Sequence, residues 1–133
     1  MQLNPYLMFD GTCEAALKYY EKHLGGKIQM ISAFKDQPGG GHVPPGFGDK
    51  IMHARMAVAG TTLMASDAPP GHFCKPQGFS VALALKDPAE AERIFKALAD
   101  KGQITMPLQK TFWARAFGMC TDQFGIPWFI NCE

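Results

Sequence analysis

The sequence predicts an α+β fold built from two tandem βαβββ modules. Three observations predict it: an amphipathic helix in each half of the chain, one strand before and three strands after each helix, and residues that recur at one spacing. Glu14, Ala15, Tyr19, Gly26, Ile28 and Met30 correspond to Glu90, Ala91, Phe95, Gly102, Ile104 and Met106, every pair 76 positions apart. A fixed offset across helix, helix stop and following strand marks an internal repeat. The chain has 133 residues, enough for one domain. Each copy is half of that and buries too little apolar surface to be secure alone. The copies are therefore expected to share one domain and one cleft. Module 1 covers about 1–67, a linker loop about 68–77 and module 2 about 78–133.

The elements follow in order. Leu3 to Phe9 is a short apolar strand, with Pro5 marking a sheet edge. Cys13, Ala16, Leu17, Tyr20 and Leu24 recur at helical spacing and predict a helix over Thr12 to Leu24. Gly25-Gly26 stops it, because glycine adopts the left-handed conformation of a helix C-terminus at little cost. Lys27 to Phe34 is the second strand. Ile51 to Val58 and Thr62 to Ser66 flank the turn Ala59-Gly60-Thr61 as a hairpin. Phe79 to Leu85 opens the second module, with Phe79, Val81, Leu83 and Leu85 on one face. Asp87 is the expected N-cap of the second helix, with Pro88 at its first position and Glu90 at N3 as in a capping box. Ala91, Ile94, Phe95 and Leu98 form its buried stripe, and Gly102 ends it. Gln103 to Leu108, Arg115 to Thr121 and Pro127 to Asn131 complete the strands, with Asp122-Gln123-Phe124-Gly125 as the last turn.

Composition removes several function classes. Apolar residues make up 47% and charged residues 19% of the chain, which suits a packed core. Thirteen Lys and Arg against twelve Asp and Glu leave a net charge of +1. No basic excess exists to attract a phosphate backbone, so no nucleic-acid partner is expected. No apolar run reaches the roughly 20 residues of a membrane helix, and no membrane partner is expected. The start, Met1-Gln2-Leu3-Asn4-Pro5, lacks the basic and apolar pattern of a signal peptide. Cys13, Cys74, Cys120 and Cys132 form no C-x-x-C pair and read as free thiols of a reducing, cytoplasmic location. Cys13 reads as a small core residue rather than a nucleophile.

Several sequence blocks resemble one family. They are Pro5-Tyr6-Leu7-Met8-Phe9, Gly11-Thr12-Cys13 with Tyr19-Tyr20, Leu24-Gly25, His53-Ala54, Ser66-Asp67-Ala68 and Gly78-Phe79. The most specific are Gln109 followed by Thr111-Phe112-Trp113-Ala114, Phe117-Gly118, Thr121-Asp122, Phe124-Gly125, Pro127-Trp128 and Ile130-Asn131. Together they resemble the vicinal oxygen chelate superfamily of glyoxalases, bleomycin-resistance proteins and dioxygenases, and within it the PhnB-type branch. The resemblance implies curved mixed sheets around a cleft, a homodimer, and a possible association with phosphonate metabolism. Metal-using members take ligands from four strand positions, placed here at Asn4, Met64, Ser80 and Phe129. None is His, Glu or Asp, and thioether or phenyl groups are poor partners for a hard or borderline cation. No metal and no cofactor are therefore expected. Some members of the branch carry a ubiquinone-methyltransferase label. The chain gives that little support, since no G-x-G-x-x-G leads from a strand into a helix.

The candidate site residues each have a plain reading beside the functional one. His53 and Arg55 share a strand face with Ile51 and Ala57, opposite Met52, Ala54, Met56 and Val58. Functionally, His53 is a proton carrier and Arg55 an anion contact; the plainer reading is a half-exposed strand face or a dimer seam. Asn4, Tyr6, Met64, Ser80 and Phe129 are expected to line the cleft. Trp113 is expected as a pocket wall, with the Gln109 amide aimed at the same pocket. Phe112, Phe117, Phe124 and the methionines Met52, Met56, Met64, Met106 and Met119 suit a planar, apolar ligand, and equally a core. Trp128, of opposite parity to Phe129, reads as core. His23 is explained by its place at a helix C-terminus. His42, His72 and Asp67 hold a metal only if two loops meet, and Asp67 and Asp122 read otherwise as turn residues. Gly39-Gly40-Gly41 with Gly46-Phe47-Gly48 offers N–H groups to an anion or is simply a loop. The reading is a cytoplasmic homodimer that binds a small organic ligand without a metal. The alternatives are a metal-dependent lyase, isomerase or dioxygenase, and a drug-sequestering resistance protein.

Overall fold

The computed structural model describes residues 1–38 and 44–133. The chain forms β1 (Tyr6–Phe9), α1 (Cys13–Leu24), β2 (Lys27–Ala33), a 3-10 turn (Phe34–Asp36), β3 (Ile51–Val58), β4 (Thr61–Asp67), β5 (Val81–Leu85), α2 (Pro88–Ala99), β6 (Gln103–Gln109), β7 (Ala116–Thr121) and β8 (Pro127–Cys132). Two compact units result, Met1–Cys74 and Lys75–Glu133. Each holds a four-stranded mixed sheet, in the orders β1-β4-β3-β2 and β5-β8-β7-β6. In both, the first strand pairs parallel with the last and the other pairs are antiparallel. This is the repeated βαβββ module, and neither sheet closes into a barrel. Each parallel pair is separated in sequence by a helix and two strands. That is not the strand–glycine turn–helix unit of a dinucleotide site.

One face of each sheet is covered by its helix. Cys13, Ala16, Leu17 and Tyr20 of α1 are buried with Leu7 and Phe9 of β1, Ala54, Met56 and Val58 of β3, and Leu63 and Ala65 of β4. In the second unit Ala91, Ile94, Phe95 and Leu98 of α2 are buried with Trp128, Ile130 and Cys132 of β8. Each large side chain in these stripes contributes about 1.5–3 kcal/mol by leaving water. Trp128 is core, as its parity predicts. Met56 is wholly buried, so it belongs to the core and not to a ligand face.

The register shows where the repeat holds. Ile28 pairs with Met56 and Met30 with Arg55 across a bulge; Ile104 pairs with Cys120 and Met106 with Met119 across the same bulge. The 76-residue offset is therefore real in β2 and β6. It does not hold in the helices. Ala15 is exposed where Ala91 is buried, and the buried faces match as Cys13 to Ala91, Ala16 to Ile94, Leu17 to Phe95 and Tyr20 to Leu98. The second helix starts at Pro88, 75 positions after Cys13, so its buried stripe begins later within the helix and uses a different face of the aligned sequence. Like residue types at positions 15 and 19 thus mask a helix rotated by two residues.

Other boundaries shift for local reasons. Pro5 lacks an N–H and delays β1 to Tyr6, although the Pro5 carbonyl still accepts from Met64 N at 3.0 Å. Asn4 thus lies ahead of β1, and Phe79 and Ser80 lie ahead of β5. Ile51 is buried rather than on the His53 face, because a register shift opposite Ala33 interrupts the alternation there. Ala59 and Gly60 both take positive φ, as the two-residue hairpin requires. Asp87 caps α2 through a 3.0 Å bond from Ala89 N. Glu90 does not close the capping box; its carboxylate holds Arg93. Gly102 is not the left-handed helix stop, since Lys101 takes that conformation. Glycine is needed at 102 because a Cβ would collide with the Thr121 carbonyl oxygen and the Asp122 backbone.

Two buried carboxylates brace the units. Asp67 accepts from Cys13 N at 2.9 Å and Ile51 N at 2.8 Å, tying the start of α1 to the start of β3. Asp122 accepts from Phe124 N at 2.9 Å, Ile126 N at 3.0 Å and the Trp128 indole N–H at 2.8 Å. Asp122 is thus a turn residue, as expected, and also the anchor of the core tryptophan. Asp67, with both oxygens engaged by backbone, is a brace and not a metal ligand.

Candidate functional site

The uncovered faces of the two sheets collect most of the candidate residues. In the first unit, Tyr6 pairs with Met64, Met64 with Arg55, and Arg55 with Met30. Four strands therefore present one row: Tyr6, Met64, Arg55, Met30. The neighbouring row adds Met8 opposite Ser66, and His53 opposite Ser32. The alternation of β3 puts His53 and Arg55 here while Ala54 and Met56 fill the core. Tyr6 is 42% and Met30 42% exposed, so the row is open within its unit.

Tyr6 and His53 form a pair. Their rings stack with centroids 5.8 Å apart and 26° between planes. The Tyr6 hydroxyl lies 3.2 Å from His53 Nδ1. With the hydroxyl donating, Nδ1 is the acceptor and the ring proton sits on Nε2, a tautomer assigned from the contact. The contact engages Nδ1 and holds the imidazole beside the Tyr6 ring. Among the described residues, no carboxylate is within ion-pair reach of Arg55; the ion pairs join Lys18 to Glu14, Lys35 to Asp49, Arg93 to Glu90 and Lys96 to Glu92. Arg55 thus offers a planar five-donor fork on a surface of methionines.

The second unit repeats the row with different chemistry: Ala82, Phe129, Met119, Met106. Beside it lie Ala84, Asn131, Phe117 and Gln109. Rings connect outward from Phe129 to Phe117 at 5.6 Å, to Trp113 at 5.4 Å and to Phe112 at 4.7 Å, all edge-to-face. Trp113 is 53% exposed in the β6–β7 connection, which fits a wall rather than a core residue. Asn131, a residue of this face, is one that sequence reasoning misses. Among the described residues its Oδ1 is buried with no hydrogen-bond partner. Its position two residues after Phe129 was the available signal, because strand parity puts both on the same face.

The structure thus brings together Tyr6, His53, Arg55 and Met64 in one unit, and Gln109, Trp113, Phe117 and Phe129 in the other. Asn4 and Ser80 stand outside the strands. Asn4 donates to Gln2 at 3.4 Å near the chain start. His72 is exposed in its loop; His42 and Gly39 to Gly41 lie outside the described residues. Met64 and Phe129, the positions expected from the resemblance to face the cleft, occupy strand centres in the two rows. A thioether and a phenyl ring do not make a site for zinc, iron or manganese. Among the described residues no three His, Cys, Asp or Glu side chains cluster. The residues present do not fit a resident divalent cation.

The thiols are not part of a reactive centre. Burial, helped by Asp67 and Glu14, pushes the Cys13 thiol up to about 12. Burial and then Asp122 push Cys120 up to about 11. Both are held neutral, well above the ordinary value of 9.0, and this contribution to folding is lost as pH rises through those values. Cys132 is buried and Cys74 exposed. One thiol, Cys74, is expected to react rapidly with an aromatic disulfide reagent at pH 8. The other three should react only as the protein opens. Four rapid thiols would contradict the packing described.

A family model described as 3-demethylubiquinone-9 3-methyltransferase matches residues 1–131. Protein YjdN of Escherichia coli (strain K12) is 40% identical over 139 aligned positions, covering 98% of this chain and 95% of that protein. The crystal structure of PA1353 from Pseudomonas aeruginosa is 46% identical and superposes with a TM-score of 0.91 over 100% of this chain and 98% of the other. A Bacillus cereus structure titled a putative 3-demethylubiquinone-9 3-methyltransferase, PhnB protein, gives a TM-score of 0.85 at 24% identity, with both chains fully covered. A glyoxylase/bleomycin resistance protein/dioxygenase domain from Frankia sp. EAN1pec gives 0.69 at 13% identity, over 100% and 97% of the chains, a likeness of fold. The chain belongs to the PhnB-like family whose model is described as 3-demethylubiquinone-9 3-methyltransferase, and its fold is that of the glyoxalase/bleomycin-resistance/dioxygenase proteins.

Proposed function

We propose that the protein binds a small organic acid with a planar apolar body, without a resident metal. The observation that carries the reading is the row Tyr6, Met64, Arg55, Met30 with the Tyr6–His53 pair beside it. Arg55 meets the acid group through charge-assisted hydrogen bonds. The methionines, soft and adaptable, cover the apolar body. His53, oriented by Tyr6, is the group that moves a proton if the bound molecule reacts. The aromatic ladder from Phe129 to Phe112 provides a second apolar surface in the other unit. Phosphonates are the first acids to test, given the PhnB-type resemblance. Among the described residues the metal-dependent reading has no donor set to support it, and the sequestering reading shares the same site.

Thermal shift on metal-stripped protein tests this with phenylphosphonate, inorganic phosphate and toluene as probes. Phenylphosphonate is expected to raise the Tm with concentration, as mass action requires, and the other two to leave it unchanged. No rise at any concentration of phenylphosphonate would overturn the reading. So would a rise that requires added zinc, iron or manganese.

We infer further that the protein is a cytoplasmic homodimer. The edge strands β2 and β6 leave Met30, Ile31 and Met106 between 36% and 42% exposed, an unusual apolar load for strand edges. Light scattering at micromolar concentration should give twice the 14.6 kDa chain mass; a monomer would contradict the inference.

A further inference from the structure

A groove runs between α2 and β6 on the helix-covered side of the second sheet, with a volume of about 670 Å³. It is a place where the two repeats differ. In the first unit the Glu21 carboxylate of α1 reaches the edge strand and accepts from Ile28 N at 2.8 Å. The helix faces align Glu21 with Ala99, each following the last deeply buried residue of its stripe, Tyr20 and Leu98. The strands align Ile28 with Ile104 through the same pairing and the same bulge. By that equivalence the Ile104 N–H is expected to face out of the ladder on the edge strand, as Ile28 N–H does. Ala99, at the place of Glu21, lines the same groove and carries no acceptor on its side chain.

The surroundings have the charge to replace that missing carboxylate. Lys96, Lys110 and Arg115 line the groove against the single acid Glu92. Glu92 is held by Lys96 at 3.0 Å. Arg115 spends only its Nε, which donates to the Glu133 carbonyl oxygen at 2.7 Å. Between these ends lie Phe95, Ile104, Pro107 and Leu108. Ile104 is 51% exposed, an apolar side chain without a cover. β6, which lines the groove, carries two register irregularities, between Ile104 and Met106 and between Met106 and Gln109.

We propose that the groove between α2 and β6 binds an organic carboxylate with an apolar body, the acid group taking from Ile104 N–H the place that Glu21 holds on Ile28 N–H. The volume falls in the range of small-molecule sites, about 300–1,000 Å³. The apolar body lies on Phe95, Pro107 and Leu108, and the cations supply the attraction that fixes the sign of the ligand. This site is separate from the Arg55 row and stands or falls without it.

Amide NMR of the full chain tests the proposal, with octanoate as the acid probe and 1-octanol as its neutral counterpart. Octanoate should shift the Ile104 amide saturably, and 1-octanol at equal concentration should leave it in place. Ala99→Glu puts the first unit's carboxylate into the groove. It should move the Ile104 amide without any ligand and weaken octanoate at least about tenfold. Lys96→Gln with Lys110→Gln, both on exposed side chains, gives a second readout and should weaken octanoate while leaving the spectrum of the core unchanged. An Ile104 amide that ignores octanoate would overturn the proposal. So would equal shifts from 1-octanol, or affinity unchanged in both variants.

Discussion

Asp122→Ala is expected to lower the unfolding free energy by about 3 kcal/mol or more, since the bonds it removes are charge-assisted and leave buried donors behind. The carboxylate takes two turn N–H groups and the indole N–H of Trp128. Trp128 is 1% and Asp122 3% exposed, so water does not replace what is lost. The turn Asp122-Gln123-Phe124-Gly125 sets the register of β7 on β8. Loosening it therefore acts on the sheet as well as on one side chain. Asp122→Asn should fall between the two: its amide oxygen still serves one side, but its NH₂ faces another donor. Urea denaturation of the three proteins reads the effect as a shift in midpoint at constant slope. An alanine variant within 1 kcal/mol of the parent, an order-of-magnitude threshold for a single net hydrogen bond, would show that the carboxylate does not anchor the turn.

Arg55→Met is expected to weaken phenylphosphonate by about 10- to 100-fold, the worth of one to two charge-assisted hydrogen bonds. Methionine keeps the length and the apolar stem, and it matches neighbours already present in the row, Met64 and Met30. The side chain is exposed and among the described residues has no acid partner. Its loss should therefore leave Tm within a degree or so of the parent, as is usual for surface changes away from such features. Isothermal titration separates the two effects. An unchanged Kd would move the acid-binding group elsewhere. A large loss of Tm would show that Arg55 serves the fold.

Much of the fold was legible because its signals are local. The stripes Cys13, Ala16, Leu17, Tyr20 and Ala91, Ile94, Phe95, Leu98 are helical periodicities that burial then obeys. The strand repeat was legible because register and bulge are copied along with residue type. The helix rotation was not. Ala15 and Tyr19 resemble Ala91 and Phe95 in kind, and only packing reveals that they face differently. In the sequence Gly102 looks like a helix stop, because glycine often serves that role. Its reason is a strand passing close by, which no local pattern announces. At the candidate site, alternation placed His53 and Arg55 together on the face opposite the core. The partnership with Tyr6, 47 positions away, needed the pairing of β1 on β4 and β4 on β3. Met30 joined the row for the same reason, and Asn131 was hidden in a motif read for family likeness alone.

The central claim is that the Arg55 row is a binding surface for an organic acid. A crystal structure of metal-stripped protein with phenylphosphonate tests it most directly. The account predicts phosphonate oxygens within hydrogen-bond distance of the Arg55 guanidinium, the phenyl ring against Met64 and Tyr6, and His53 Nε2 facing the bound molecule. Phenylphosphonate bound elsewhere, or held through a cation rather than by Arg55, would contradict it.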